Sequence, residues 1–169
     1  VMPLEDPGRL LRDGYNAWAP DYDRDMAGLG YALPAPFAAM LRRHMPAPGS
    51  RILDAGAGTG LLGARLARMG YRFLVGIDSA PGMLERAKRR CVYRGLREMD
   101  LSQPLAFPDR AFDGVAALGV INWSHPLPQA LAEFVRVTRP GGRVLFSAAV
   151  DARGRFCCGA APERLRREG

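Results

Sequence analysis

The sequence predicts a doubly wound α/β domain with a mostly parallel sheet. Three observations predict it. Short apolar segments alternate with amphipathic ones from Arg51 onward, a glycine-rich turn joins the first such pair, and Asp78 closes the second apolar segment. Strict alternation of strand and helix requires crossover connections, which place helices on both faces of parallel strands.

Taken in order, residues 7–17 read as a short helix, followed by Trp18-Ala-Pro-Asp-Tyr-Asp23. Pro34 and Pro36 open a second helix over Phe37–His44, with Phe37, Met40 and Leu41 on one face, and Pro46, Pro48 and Gly49 end it. The alternation then runs strand Arg51–Ala55, helix Leu61–Met69 closed by Gly70, strand Arg72–Asp78 and helix Pro81–Arg90. Gly70 suits a left-handed helix end, while Ser79 is placed to cap the following helix with Pro81 in its first turn. A short strand at Leu96–Met99 and a loop rich in Pro and Asp come next. Strand Phe112–Leu118, helix Leu127–Val137, turn Pro140-Gly-Gly142 and strand Arg143–Val150 complete the pattern. Segments such as Ile-Leu-Asp-Ala (52–55) and Val-Ala-Ala-Leu (115–118) are largely apolar, as expected of strands covered on both sides. This divides the chain into an N-terminal helical segment (1–48), the α/β domain (49–150) and an atypical tail (151–169).

Bulk properties exclude several classes. Of 169 residues 24% are charged and 48% hydrophobic, ordinary for a globular domain. The net charge of +7 comes from Arg, Lys88 being the single lysine, and the basic residues are scattered without interleaved aromatics, so nucleic acid is not an expected partner. Cys91, Cys157 and Cys158 make no disulfide framework, and the isolated His44 and His125 give no zinc spacing, so no metal is expected. Charged residues near the start and the lack of a long apolar run point to a cytoplasmic protein that is not embedded in a membrane.

The chemistry gathers at Asp54-Ala-Gly-Ala-Gly-Thr-Gly60, between the first strand and its helix. Gly56 and Gly58 let the backbone turn and approach a ligand that a Cβ would block. Asp78 ends the next strand 22 residues after Gly56, where a carboxylate reaches the crevice beyond the strand ends and can accept both hydroxyls of a ribose. An adenosine-type ligand follows. The glycines read G-x-G-x-G, one residue short of the dinucleotide spacing G-x-G-x-x-G. Asp54 also puts a negative charge where a pyrophosphate would approach. A cationic ligand would instead be attracted, and S-adenosylmethionine carries a sulfonium and an ammonium group and no phosphate.

Ile52–Gly60 resembles the first signature of class I S-adenosylmethionine-dependent methyltransferases, and Val75–Leu84 the second. The resemblance implies a Rossmann-like sheet of strand order 3-2-1-4-5. It implies that Gly56 and Gly58 pass the methionine part, that Asp78, with Ser79 beside it, holds the ribose, and that Met83 packs on adenine. Asp100 and Leu101 would meet the adenine amino group and ring, and Gly119 and Val120 would line the reacting end. Tyr15–Asp23 resembles the N-terminal lid of the methyltransferase-like proteins of the Williams–Beuren region and, more loosely, of quinone-biosynthesis methyltransferases. This makes Tyr22 a cofactor contact and Tyr15 and Trp18 substrate contacts. Trp123, near the cleft after the fourth strand, is able to stack on an aromatic or cationic acceptor as a further substrate contact. An N-terminal hydrophobic anchor is the plainer role for Tyr15, Trp18 and Tyr22.

Methyl transfer is an in-line displacement for which positioning and water exclusion suffice, so no triad is expected. His125 and Asn122 are the candidate proton acceptors near the cleft. A small-molecule methyl acceptor is the expected partner. The resembling family continues beyond the fifth strand with a helix and an antiparallel hairpin, which residues 151–169 are too few to supply. The expectation is a truncated or frameshifted product whose fifth strand offers an exposed edge for pairing two copies. A non-catalytic cofactor-binding module and an NAD-dependent oxidoreductase are the competing readings, the latter disfavoured by the glycine spacing.

Overall fold

A computed structural model describes residues 7–121 and 127–148. Three helices come first, α1 (Pro7–Trp18), α2 (Tyr22–Gly28) and α3 (Pro34–His44). The alternating part follows as β1 (Arg51–Ala55), α4 (Leu61–Arg68), β2 (Phe73–Asp78), α5 (Pro81–Lys88), β3 (Gly95–Glu98), β4 (Phe112–Ile121), α6 (Leu127–Val137) and β5 (Thr138–Ala148). All four strand pairings are parallel, in the order β3-β2-β1-β4-β5. The predicted topology is therefore present, and β5 lies at one edge of the described sheet.

Side chains alternate along β1, which separates the core into two layers. Leu53 and Ala55 pack with Ala130, Leu131, Phe134 and Val137 of α6 on one face. Ile52 packs with Phe37 and Leu41 of α3 and with Leu62 and Leu66 of α4 on the other. Ile52 and Phe134 are fully buried, each removing enough apolar surface from water to contribute roughly 1.5–3 kcal/mol. The predicted α3 face needs one correction, since Met40 points outward while Ala38 takes a buried place beside Phe37 and Leu41.

Two further differences have physical reasons. Ser79 does not cap α5: the N-cap is Ala80, in extended conformation at φ −99 and ψ 104. Ala80 precedes Pro81, whose ring excludes the helical region for the residue before it, so the helix cannot begin earlier. The Ala80 N–H instead donates to Asp78 Oδ1 at 2.9 Å. Pro140-Gly-Gly142 falls inside β5, at a register irregularity where Phe112 pairs with Thr138 but Gly114 pairs with Arg143. Gly141, at φ +76, takes the turn that the motif predicts without ending the strand pairing.

Parallel register places the acid-bearing strand ends side by side. Asp54 lies opposite Gly76 and Ala116, and Asp78 lies opposite Glu98. Open α/β sheets bind ligands outside these carboxyl ends, next to the point where strand order reverses. Here that point lies between β1 and β4.

Candidate functional site

At those ends β1 turns into α4 through Gly56 and Gly58. The N–H groups of Gly56 and Ala57 both donate to the Ile77 carbonyl at 2.8 Å, folding the turn back over β2. Gly56 adopts φ +76, and a Cβ there would drive into the Val120 side chain on β4. At Gly58 an added Cβ would meet nothing within 4 Å, so this glycine faces open space. The Gly58 N–H donates to Asp78 Oδ2 at 2.9 Å. One carboxylate thus ties the glycine turn to the start of α5.

The space in front of Gly58 is a cleft of about 320 Å³. Gly56, Gly58, Asp78, Ser79, Met83, Met99 and Leu101 form one wall, with Leu118, Gly119 and Val120 of β4 beside them. The N-terminal segment supplies the opposite wall through Leu11, Tyr15 and Trp18 of α1, Tyr22 and Met26 of α2, and Tyr31 between α2 and α3. Although the chain carries a net charge of +7, none of the described lining residues is Lys or Arg, and Asp78 is acidic. A wall of this charge disfavours a pyrophosphate and suits a cation.

The N-terminal wall is held in place by polar contacts to α5 and the residues after it. Asn16 Oδ1 accepts the Gly82 N–H at 2.8 Å. Arg86 donates to the carbonyls of Ala19, at 3.1 Å, and of Pro20. Trp18 packs edge-on to Tyr22 with centroids 4.7 Å apart and donates its indole N–H to Asp25 at 2.9 Å. Burial, helped by neighbouring Tyr31, Tyr15 and acidic groups, pushes the Tyr22 phenol up to about 12. Burial raises Tyr15 and Tyr31 as well. These phenols stay protonated near neutrality and act as hydrogen-bond donors.

Of the predicted residues, Tyr15, Trp18, Tyr22, Gly56, Gly58, Asp78, Ser79, Met83, Leu101 and Gly119 come together around this one cleft. Met83 is only 1% exposed and also packs on Ala19 and Ala80, so it belongs equally to the core. Asp54 stands aside, lining a smaller pocket of about 50 Å³ that shares Tyr22, Tyr31, Gly56, Gly58 and Leu118 with the main cleft. Its carboxylate is 1% exposed and accepts the Tyr93 hydroxyl at 2.6 Å. Burial pushes Asp54 up to about 7, with nearby Asp78 adding to the rise and the Tyr93 bond opposing it.

Asp100 is not brought into the described wall. It is exposed, and its Oδ1 accepts the Ser102 N–H at 2.8 Å in a local turn, leaving Met99 and Leu101 on either side of it to face the cleft. Asn122, Trp123 and His125 lie outside the described residues. Leu11, Met26, Tyr31, Met99 and Leu118 line the cleft without having been singled out in the sequence. Among the described residues no group of three or more His, Cys, Asp or Glu is placed to hold a metal, and no helix is long and apolar enough to cross a membrane.

Comparison with known proteins agrees with this geometry. The human methyltransferase-like protein 27 is 38% identical over 141 residues, 82% of this chain and 57% of that protein. A malonyl-[acyl-carrier protein] O-methyltransferase of Serratia marcescens is 43% identical over 100 residues, 59% of this chain and 38% of that one. The chain therefore spans roughly half or less of these relatives' length. The crystal structure of a TehB-like SAM-dependent methyltransferase from Corynebacterium glutamicum aligns with a TM-score of 0.68 at 27% identity, covering 90% of this chain and 83% of that one. The methyltransferase domain family matches residues 53–146, from β1 into β5. A glycine turn tied to an acid at the sheet's switch point, in a stretch that matches throughout, shows that this chain belongs to the methyltransferase domain family.

Proposed function

We propose that the chain is the cofactor-binding part of an S-adenosylmethionine-dependent methyltransferase acting on a small-molecule acceptor. One observation carries the reading: the cleft pairs an acid, Asp78, bonded to the glycine turn, with a wall that has no basic side chain among its described residues. The residues present fit the ligand. Gly58 faces open space where a Cβ would stand, and about 320 Å³ is within the range of small-molecule sites.

In this reading Asp78, with Ser79 beside it, would hold the ribose hydroxyls, and Met83 and Leu101 would flank the adenine. Gly56 and Gly58 would pass the methionine part beside Asp54, and Gly119 would lie near the reacting end. S-adenosylmethionine supplies an electrophilic methyl group on a sulfonium. The chain's own contribution is to orient an acceptor and exclude water. Tyr15, Trp18 and Tyr22 on the opposite wall would do this, as amphipathic rings that pack on a flat acceptor and donate hydrogen bonds to it. Asn122, Trp123 and His125 follow β4 in the chain and remain the proposed source of a proton acceptor and a stacking partner.

Calorimetric titration with S-adenosylhomocysteine tests the reading. The wild-type chain should bind, and Asp78→Asn, which keeps the shape but removes the charge, should lose affinity by about tenfold or more. A folded chain that binds neither the methyl donor nor its demethylated product would overturn it. Transfer of labelled methyl groups to a panel of small acceptors then identifies the partner.

A further inference from the structure

Tyr93 follows α5 and leads into β3, away from the main cleft, yet its ring runs inward between α4 and β2. Three glycines make room for it. A Cβ on Gly63 would overlap its hydroxyl end, while one on Gly76 or Gly60 would stand 3.1 Å and 3.2 Å from its ring carbons. The hydroxyl donates to Asp54 Oδ2 at 2.6 Å and accepts the backbone N–H of Gly63 in the first turn of α4. The phenol therefore ends on Asp54, which also lines the small pocket that shares five residues with the cleft.

We propose that Tyr93 is a positioning residue: it fixes the Asp54 carboxylate in the side pocket so that this charge meets the cationic end of the ligand. This rests on the cleft taking S-adenosylmethionine. A carboxylate removed from water keeps its charge only if partners supply what water did. Tyr93 supplies a hydroxyl proton, and Gly63 polarises that hydroxyl from the positive end of a helix. The other groups facing Asp54 give less help. Asp78 at the end of β2 opposes its ionisation. Tyr22 and Tyr31 share its pocket, and Arg90 acts on Tyr93. Of these influences on Asp54, the Tyr93 bond is the one that lowers its pKa, and the balance leaves it near 7. Without the hydroxyl, Asp54 would carry its charge less often near neutrality and attract a cation less strongly.

The experiment has a ligand-free arm and a ligand arm. The carboxyl carbon resonance of Asp54, followed by NMR through a pH titration, should move to a higher midpoint in Tyr93→Phe, by about one pH unit. Fluorination of the Tyr93 ring, which makes the hydroxyl a stronger donor and adds little bulk, should move it the other way. In the ligand arm, S-adenosylhomocysteine affinity should rise with pH between about pH 6 and pH 8, and Tyr93→Phe should displace that profile upward and weaken binding at neutral pH about fivefold. A purely structural Tyr93 would lower the unfolding midpoint and leave both titrations where they were. That outcome would overturn the inference. A wild-type chain that binds no S-adenosylhomocysteine would overturn the cofactor reading instead, because the Asp54 midpoint reports on Tyr93 without ligand.

Discussion

Arg90 and Asp23 form an ion pair of 2.5 Å that joins the residues after α5 to helix α2. The same guanidinium donates from Nε to the Thr59 carbonyl in the glycine turn at 2.6 Å, and the Thr59 hydroxyl donates in turn to Asp23. One side chain therefore reaches both the N-terminal wall of the cleft and the turn beneath it. Arg90→Met keeps most of the stem and removes both contacts. Asp23 is half exposed, so water screens the pair, and the expected loss is about 1 kcal/mol. Chemical denaturation should show that loss, and limited proteolysis should cut faster between α1 and α3 if the wall has been released. An unchanged cleavage rate would show that Asn16 and Arg86 hold the wall without help.

The glycine turn makes a sharper prediction. Gly56→Ala places a methyl group against Val120 on a backbone at φ +76, and both effects oppose folding. The expected cost is about 1–3 kcal/mol by urea denaturation. Val120→Ala in the same chain should recover the steric part and leave the backbone part. A double-mutant cycle separates the two, and strict additivity would show that the two residues do not touch.

Asp54 makes stability depend on pH in an unusual direction. Its pKa in the folded chain, about 7, lies above the ordinary 3.8 of an unfolded aspartate, so between these values the folded state binds more protons. Stability must then fall as pH rises through that window, by up to about 4 kcal/mol for this group alone. Asp54→Asn removes the effect and keeps an acceptor for Tyr93. Unfolding midpoints of variant and wild type should differ little near pH 4 and diverge towards pH 7, with the variant the more stable. Parallel curves would mean that Asp54 titrates normally.

The strand periodicity and the glycine turn with its distant acid were legible because each is a local pattern with one structural solution. Other features were not. Helix α2 buries no residue and so shows no apolar stripe; only Asp23 and Asp25 in its first turn hint at a helix start. Asp100 sits where the resemblance implies a ligand contact, but the short-range Ser102 N–H satisfies it first. Tyr93 gave no signal at all. Its place depends on glycines 60, 63 and 76, which precede α4, lie within it and lie within β2, and meet only in the folded chain.

Away from the cleft, Arg136 on α6 gathers the loop that leads into β4. It donates to the carbonyls of Leu105 and Phe107 at 2.9 Å and pairs with Asp109 and Glu133 at 2.8 and 2.7 Å. A planar fork can make these bonds together and an ammonium cannot. Arg136→Lys should therefore destabilise the chain by about 1–2 kcal/mol despite keeping the charge. Thermal unfolding measures this, and a midpoint equal to wild type would reduce the network to surface decoration.

The two walls of the cleft have separate origins along the chain. Residues 11–31 furnish one of them, ahead of the matched stretch 53–146 that furnishes the other. The junction between them combines a buried apolar cluster, Ala19 and Tyr15 against Ala80 and Met83, with polar side chains such as Asn16, Arg86 and Arg90, so an N-terminal segment transplanted from a relative would have to match both. On the proposed reading, most acceptor contacts and most cofactor contacts would then come from different stretches of the chain.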